Sequence, residues 1–117
     1  MIKKLGSLAA LAVSAAILLS QLAGAQNMSA ASVLISCGTP EESWISFCNG
    51  YTQAVYDSAS AMGVEICPPP GITRAALADT AFRGLVALHG SIGEQEMLEL
   101  DGAIAVLSIL STEYTCS

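Results

Sequence analysis

Four cysteines, one histidine and one run of carboxylates are the residues here whose chemistry reaches beyond packing. Cys37, Cys48, Cys67 and Cys116 are widely spaced, with no Cys-x-x-Cys pair and with His89 far from any of them. A zinc site would need closer ligand spacing. An even set of cysteines in a small exported chain reads instead as two disulfides, with three pairings open. His89 precedes Gly90 at an expected helix end, where a capping or surface imidazole outweighs a catalytic base. Glu94, Glu96, Glu99 and Asp101 crowd one stretch of helix. As paired carboxylates they could do acid–base work, but spread around a turn they read as a solvated face. The chain contains no nucleophile elbow, glycine-rich phosphate loop or His-rich metal motif. The expectation is a non-enzyme that needs neither cofactor nor metal.

The start of the chain leads to the expectation that these residues act outside the cytoplasm. Lys3 and Lys4 precede an apolar run from Leu8 to Leu19, and Ala23-Gly24-Ala25 offers small residues where a signal peptidase reads them. The run is about half the ~20 residues that a membrane span requires, so residues 1–25 are expected to be a cleaved signal peptide. Residues 26–117 then form one domain of 92 residues. Cleavage removes Lys3 and Lys4 and takes the net charge from −6 to −8. That charge disfavours nucleic acid and, after cleavage, an anionic membrane as partners, while suiting a basic protein. A chain this short buries only roughly 60–70% of its unfolded surface, so covalent staples matter to it.

The elements that must position these groups are helices. Residues 28–37 form a short first helix. Thr39-Pro40-Glu41-Glu42 reads as a capping box with proline at the first helical position. It opens a helix over 40–62 whose stripe is Trp44, Phe47, Cys48, Tyr51, Val55, Ala59 and Met62. Trp44 and Tyr51 are expected in the core, and Gly50 and Ala54 beside a closely packed neighbour. Gly63 stops this helix. Residues 64–72 are the one substantial loop, stiffened by Pro68, Pro69 and Pro70. Thr73 caps a third helix over 74–89, with Ile72 and Leu77 as a hydrophobic staple. Its stripe is Leu77, Ala81, Gly84, Leu85 and Leu88, widened by Phe82 and Val86. Ser91-Ile92-Gly93-Glu94 reads as a second capping box opening a fourth helix over 92–112, which buries Met97, Leu100, Ile104, Leu107 and Leu110. The fold class is all-α, a small antiparallel bundle of about four helices tied by two disulfides.

With the three long helices running down, up and down, Cys48 sits roughly 20 Å above the lower end of its helix at 1.5 Å per residue. Cys67 lies just past that lower end. A Cys48–Cys67 bond would therefore stretch far beyond the ~7 Å limit on Cα separation. Cys116 follows a descending helix to the same end as Cys67, and Cys37 can fold back onto Cys48. The favoured pairs are Cys37–Cys48 and Cys67–Cys116. A first helix packed lower down would bring Cys37 to Cys116 instead.

Several motifs occur in order along the mature chain: Phe47-Cys48-Asn49-Gly50-Tyr51, Asp57, Cys67-Pro68-Pro69-Pro70-Gly71-Ile72-Thr73, Leu88-His89 and Tyr114-Thr115-Cys116. Together they resemble the Rap/Tai family, periplasmic immunity proteins that protect bacteria from the peptidoglycan-cleaving amidase effectors of type VI secretion. The family pattern has Val where Ile72 stands, Pro where Gly90 stands and Pro where Thr115 stands. The resemblance implies a periplasmic, helical, disulfide-bonded protein that plugs an amidase groove without catalysing anything. Family members are often dimeric, which leaves a homodimer open. Two exposed turns are candidates for the contact: the loop with Glu65, Pro68, Pro69 and Pro70, and the corner with His89, Glu94, Glu96 and Glu99. Each is equally readable as plain connecting structure. A periplasmic acid-stress chaperone and an inhibitor of a lysozyme-type enzyme are the alternative functions.

Overall fold

A computed structural model describes residues 28–117; the expected leader, residues 1–25, lies outside the described residues. Five helices make up the described fold, with no strand among these residues: α1 (Ala30–Gly38), α2 (Glu42–Ala59), α3 (Arg74–Ile92), α4 (Glu94–Glu99) and α5 (Gly102–Glu113). Both favoured disulfides are formed, Cys37–Cys48 and Cys67–Cys116, each with its Cα atoms 5.1 Å apart.

The short first helix is the hub of the bundle. The Ser29 hydroxyl caps α1 by accepting from Ser32 N at 3.1 Å. Ala30, Ala31, Val33 and Ser36 are buried in it, and it packs against all four other helices. Small side chains permit this, because each neighbour can approach the α1 backbone closely. The core around it comprises Val55 and Ala59 of α2, Leu77, Ala81 and Leu85 of α3, Met97 of α4, and Ala105, Val106, Leu107 and Leu110 of α5. Thr73 caps α3 as expected, its hydroxyl accepting from Ala76 N at 3.1 Å, and Ile72 and Leu77 both join the core.

Four local expectations are corrected. Thr39 closes α1 instead of opening α2: its hydroxyl donates to Ile35 O at 2.8 Å and its N–H to Ser36 O. Glu41 takes the cap position of α2 without a side-chain cap bond. Trp44 is 41% exposed and Met62 60% exposed, while Thr52, which is off the expected stripe, is fully buried. A Cβ at Gly50 would meet nothing within 4 Å, so no neighbour packs there. Lastly, α3 runs through Gly90 to Ile92, and the turn falls at Gly93, whose φ of 85° a Cβ-bearing residue rarely adopts.

The expected fourth helix is two helices. Leu100 and Asp101 are extended, and they pair with the entry segment: Ala30 N donates to Leu100 O at 2.8 Å and Gly102 N to Met28 O at 2.7 Å. Asp101 then starts α5 by accepting from Ile104 N at 3.0 Å. The backbone groups at the break thus find partners outside the helix, and an aspartate favours the cap over the helix interior. Because the break resets the helical phase, Ile104 turns outward and is 56% exposed, while Val106 and Leu110 are fully buried.

α3 and α5 run antiparallel in close contact. The Thr80 and Tyr114 hydroxyls are hydrogen-bonded at 2.7 Å near one end. Further along, a Cβ at Gly84 would overlap the Ile109 side chain.

Candidate functional site

The two candidate turns lie at opposite ends of α3, a helix of 19 residues and so about 27 Å long at 1.5 Å per residue. They do not converge on one point.

The 64–72 loop is held by its backbone as well as by its prolines. Gly63, at φ 74°, donates to Ser60 O, and Val64 N donates to Ala59 O at 2.9 Å. This pair of bonds is a Schellman closure of the 3₁₀ turn Ser60–Met62 that ends α2. Cys67 N donates to Tyr114 O at 2.8 Å beside the Cys67–Cys116 bond. Ile72 N donates to Pro69 O at 3.2 Å, closing a turn with Pro70 and Gly71 at its centre. Gly71 has φ 79°, the conformation that the third position of a type II turn requires. Val64, Ile66 and Ile72 pack against the core. Glu65, Pro69 and Pro70 are exposed and Pro68 is half-buried. Alternation along an extended strand thus buries one face of the loop and presents the other.

Beneath this loop lies a cleft of about 660 Å³, lined on the α2 side by Tyr56, Asp57, Ala59 and Ser60, and on the loop side by Gly63–Cys67, with Cys116. Asp57 Oδ1 accepts from Gln53 Nε2 at 2.9 Å, which orients the carboxylate. Tyr56, Ala59 and Ser60 were not candidates from the sequence, and Asp57 was known only as a motif position. Their signal is positional: Tyr56, Asp57 and Ala59 lie in the last turn of α2 and Ser60 opens the 3₁₀ turn after it, next to the start of the proline loop.

At the other end, His89 Nε2 and Glu94 Oε2 are 2.8 Å apart, and both side chains are well exposed. Among the described residues no nucleophile is hydrogen-bonded to this imidazole, so the pair joins the last turn of α3 to the first residue of α4. Glu94, Glu96 and Glu99 are all exposed, and Gln95 Nε2 donates to Glu99 Oε1 at 2.9 Å. Met97 anchors α4 in the core, while Leu98 on the same helix is 52% exposed.

Along the outer side of α2, Trp44 meets Phe47 edge-on at 5.8 Å between centroids, and Phe47 meets Tyr51 at 5.7 Å. Burial first, and the nearby Asp101 carboxylate second, push the Tyr51 phenol above its ordinary value. Among the described residues no group of three potential metal ligands is clustered, and no helix is long and apolar enough to cross a membrane.

A family model described as Rap1a immunity proteins matches residues 26–116. The chain belongs to this immunity protein family. No curated protein and no solved structure matches it. Every motif that carries the Rap/Tai resemblance lies within the matched span, from Phe47 to Cys116. In this member, Cys48, Cys67 and Cys116 of those motifs, together with Cys37, form the two disulfides.

Proposed function

We propose that the mature chain is a periplasmic immunity protein that binds a peptidoglycan-cleaving amidase effector of type VI secretion and covers its active-site groove. The observation that carries this reading is family membership over nearly the whole mature chain. The structure of the proline loop is in keeping with it. A plug binds tightly when its surface is ordered beforehand, since ordering a loop on binding costs affinity. Here the loop is fixed by four backbone hydrogen bonds, one disulfide and three consecutive prolines.

The leader with Lys3, Lys4 and Ala23-Gly24-Ala25 supports export, as do two disulfides in a small domain. No catalytic role is assigned to any residue: inhibition by coverage needs shape and charge alone.

The test is coexpression in the periplasm with an amidase encoded beside this gene. Protection from lysis, together with a one-to-one complex per protomer of the purified proteins, is the expected result. An amidase that is neither bound nor inhibited would sink the proposal. Suppression of aggregation of other proteins in acid, without any partner at neutral pH, would point to the chaperone alternative instead.

A further inference from the structure

We propose that the cleft between the end of α2 and the 64–67 loop is a receptor for one cationic side chain, an arginine presented by the partner protein. This rests on the partner-binding reading above and names the contact. The cleft has the volume of a ligand site, about 660 Å³. Its lining has two chemistries. Ala59, Val64, Ile66 and the Tyr56 ring offer an apolar wall, suited to the methylene stem of a long side chain. Asp57 and Glu65, both exposed, line the same cleft, one from α2 and the other from the loop.

Neither carboxylate is in an ion pair among the described residues. The only arginines are Arg74 and Arg83; neither lines the cleft, and Arg83 is engaged by Asp79 at 2.9 Å. Among the described residues, the cleft therefore holds two carboxylates and no counter-charge. Gln53 Nε2 donates to one oxygen of Asp57 at 2.9 Å, leaving the other oxygen open. A planar guanidinium matches carboxylates through paired N–H donors and can also lie on the face of an aromatic ring such as Tyr56. The backbone closure at Gly63 and Val64 and the disulfide at Cys67 tie the loop to the end of α2 and to the C-terminal segment. The site is therefore formed before a partner arrives.

The experiment is an amide NMR titration of the oxidised protein with N-acetylarginine amide, and in parallel with its neutral citrulline counterpart. The expected result is saturable shifts at Tyr56, Asp57, Val64, Glu65 and Ile66 with the arginine probe alone. The double variant Asp57→Asn, Glu65→Gln should weaken its binding by about fivefold, the range for two exposed ion pairs. Equal shifts with citrulline, or arginine shifts confined to Glu94, Glu96 and Glu99, would overturn the proposal even if the variant proved unstable. A separate outcome tells the two readings apart. If an amidase is bound with its footprint away from this cleft, and the arginine probe leaves the cleft unshifted, the receptor role falls while the immunity function stands.

Discussion

Replacing Gly102 by alanine should unfold this protein far more readily than its sequence context suggests. In a helix, glycine to alanine ordinarily stabilises by roughly 0.5–1 kcal/mol. Here a Cβ would stand 2.6 Å from Val33 Cγ2, 2.8 Å from Met28 O and 3.1 Å from Ser29 O. Two of those three atoms are backbone, so no rotamer change relieves the overlap. Overpacking of this kind costs about 1–3 kcal/mol. The displaced entry segment also strains two hydrogen bonds, Gly102 N to Met28 O and Ala30 N to Leu100 O, each worth about 1 kcal/mol. Set against the helical gain, the net loss is about 2–4 kcal/mol, or a fall in Tm of roughly 10–25 °C for a domain of this size. The assay is thermal and urea unfolding of the oxidised protein followed by circular dichroism. Gly50→Ala is the control, because its Cβ meets nothing within 4 Å, and it should stabilise by up to about 1 kcal/mol. If Gly102→Ala matched Gly50→Ala in sign, the pairing of the entry segment with the α4–α5 break would be refuted.

Four further outcomes are expected. Cys67 and Cys116 are both exposed whereas Cys48 is 4% exposed, so mild dithiol treatment followed by alkylation and peptide mapping should label Cys67 and Cys116 first. Because that bond closes the longer loop, with a sequence separation of 49, its loss should lower stability by about 4 kcal/mol in the loop-entropy description. Tyr51 releases its proton at higher pH folded than unfolded, so its contribution is complete below pH 10.0 and is lost as pH rises through the folded-state value. Tm measured across that alkaline range should fall less steeply in Tyr51→Phe. Thr52 is fully buried and its Oγ1 has no hydrogen-bond partner among the described residues; Thr52→Val, of nearly the same shape, should raise stability by about 1 kcal/mol in urea unfolding.

Much was legible in local chemistry. Thr73 and Gly63 act where their types predict, because caps and positive-φ helix stops are decided within a few residues. The disulfide pairs followed from helix lengths and the short reach of a Cys–Cys bond. All-α class and family resemblance were readable too, from apolar spacing and from motifs in order. What failed depended on partners distant in sequence. Thr39 could cap either neighbouring helix, and Ile35 O won it. Trp44 has helical spacing yet stays 41% exposed, since spacing identifies a face without saying what covers it.

The sequence by itself determined the all-α class, the acidic charge and the cysteines that can meet. Each rests on covalent order or on contacts within a turn or two. Only the tertiary structure decided that α1 is the hub, that the last helix breaks at Leu100–Asp101, and that Asp57 and Glu65 share one cleft. The break exists because Met28–Ala30 arrives from the far end of the chain and supplies, through Met28 O and Ala30 N, hydrogen bonds that a continuous helix would have made internally. The cleft exists because the Cys67–Cys116 bond and the Schellman closure hold the loop against the last turn of α2. Neither is a property of a local segment: each depends on groups that become neighbours only once the whole chain has packed.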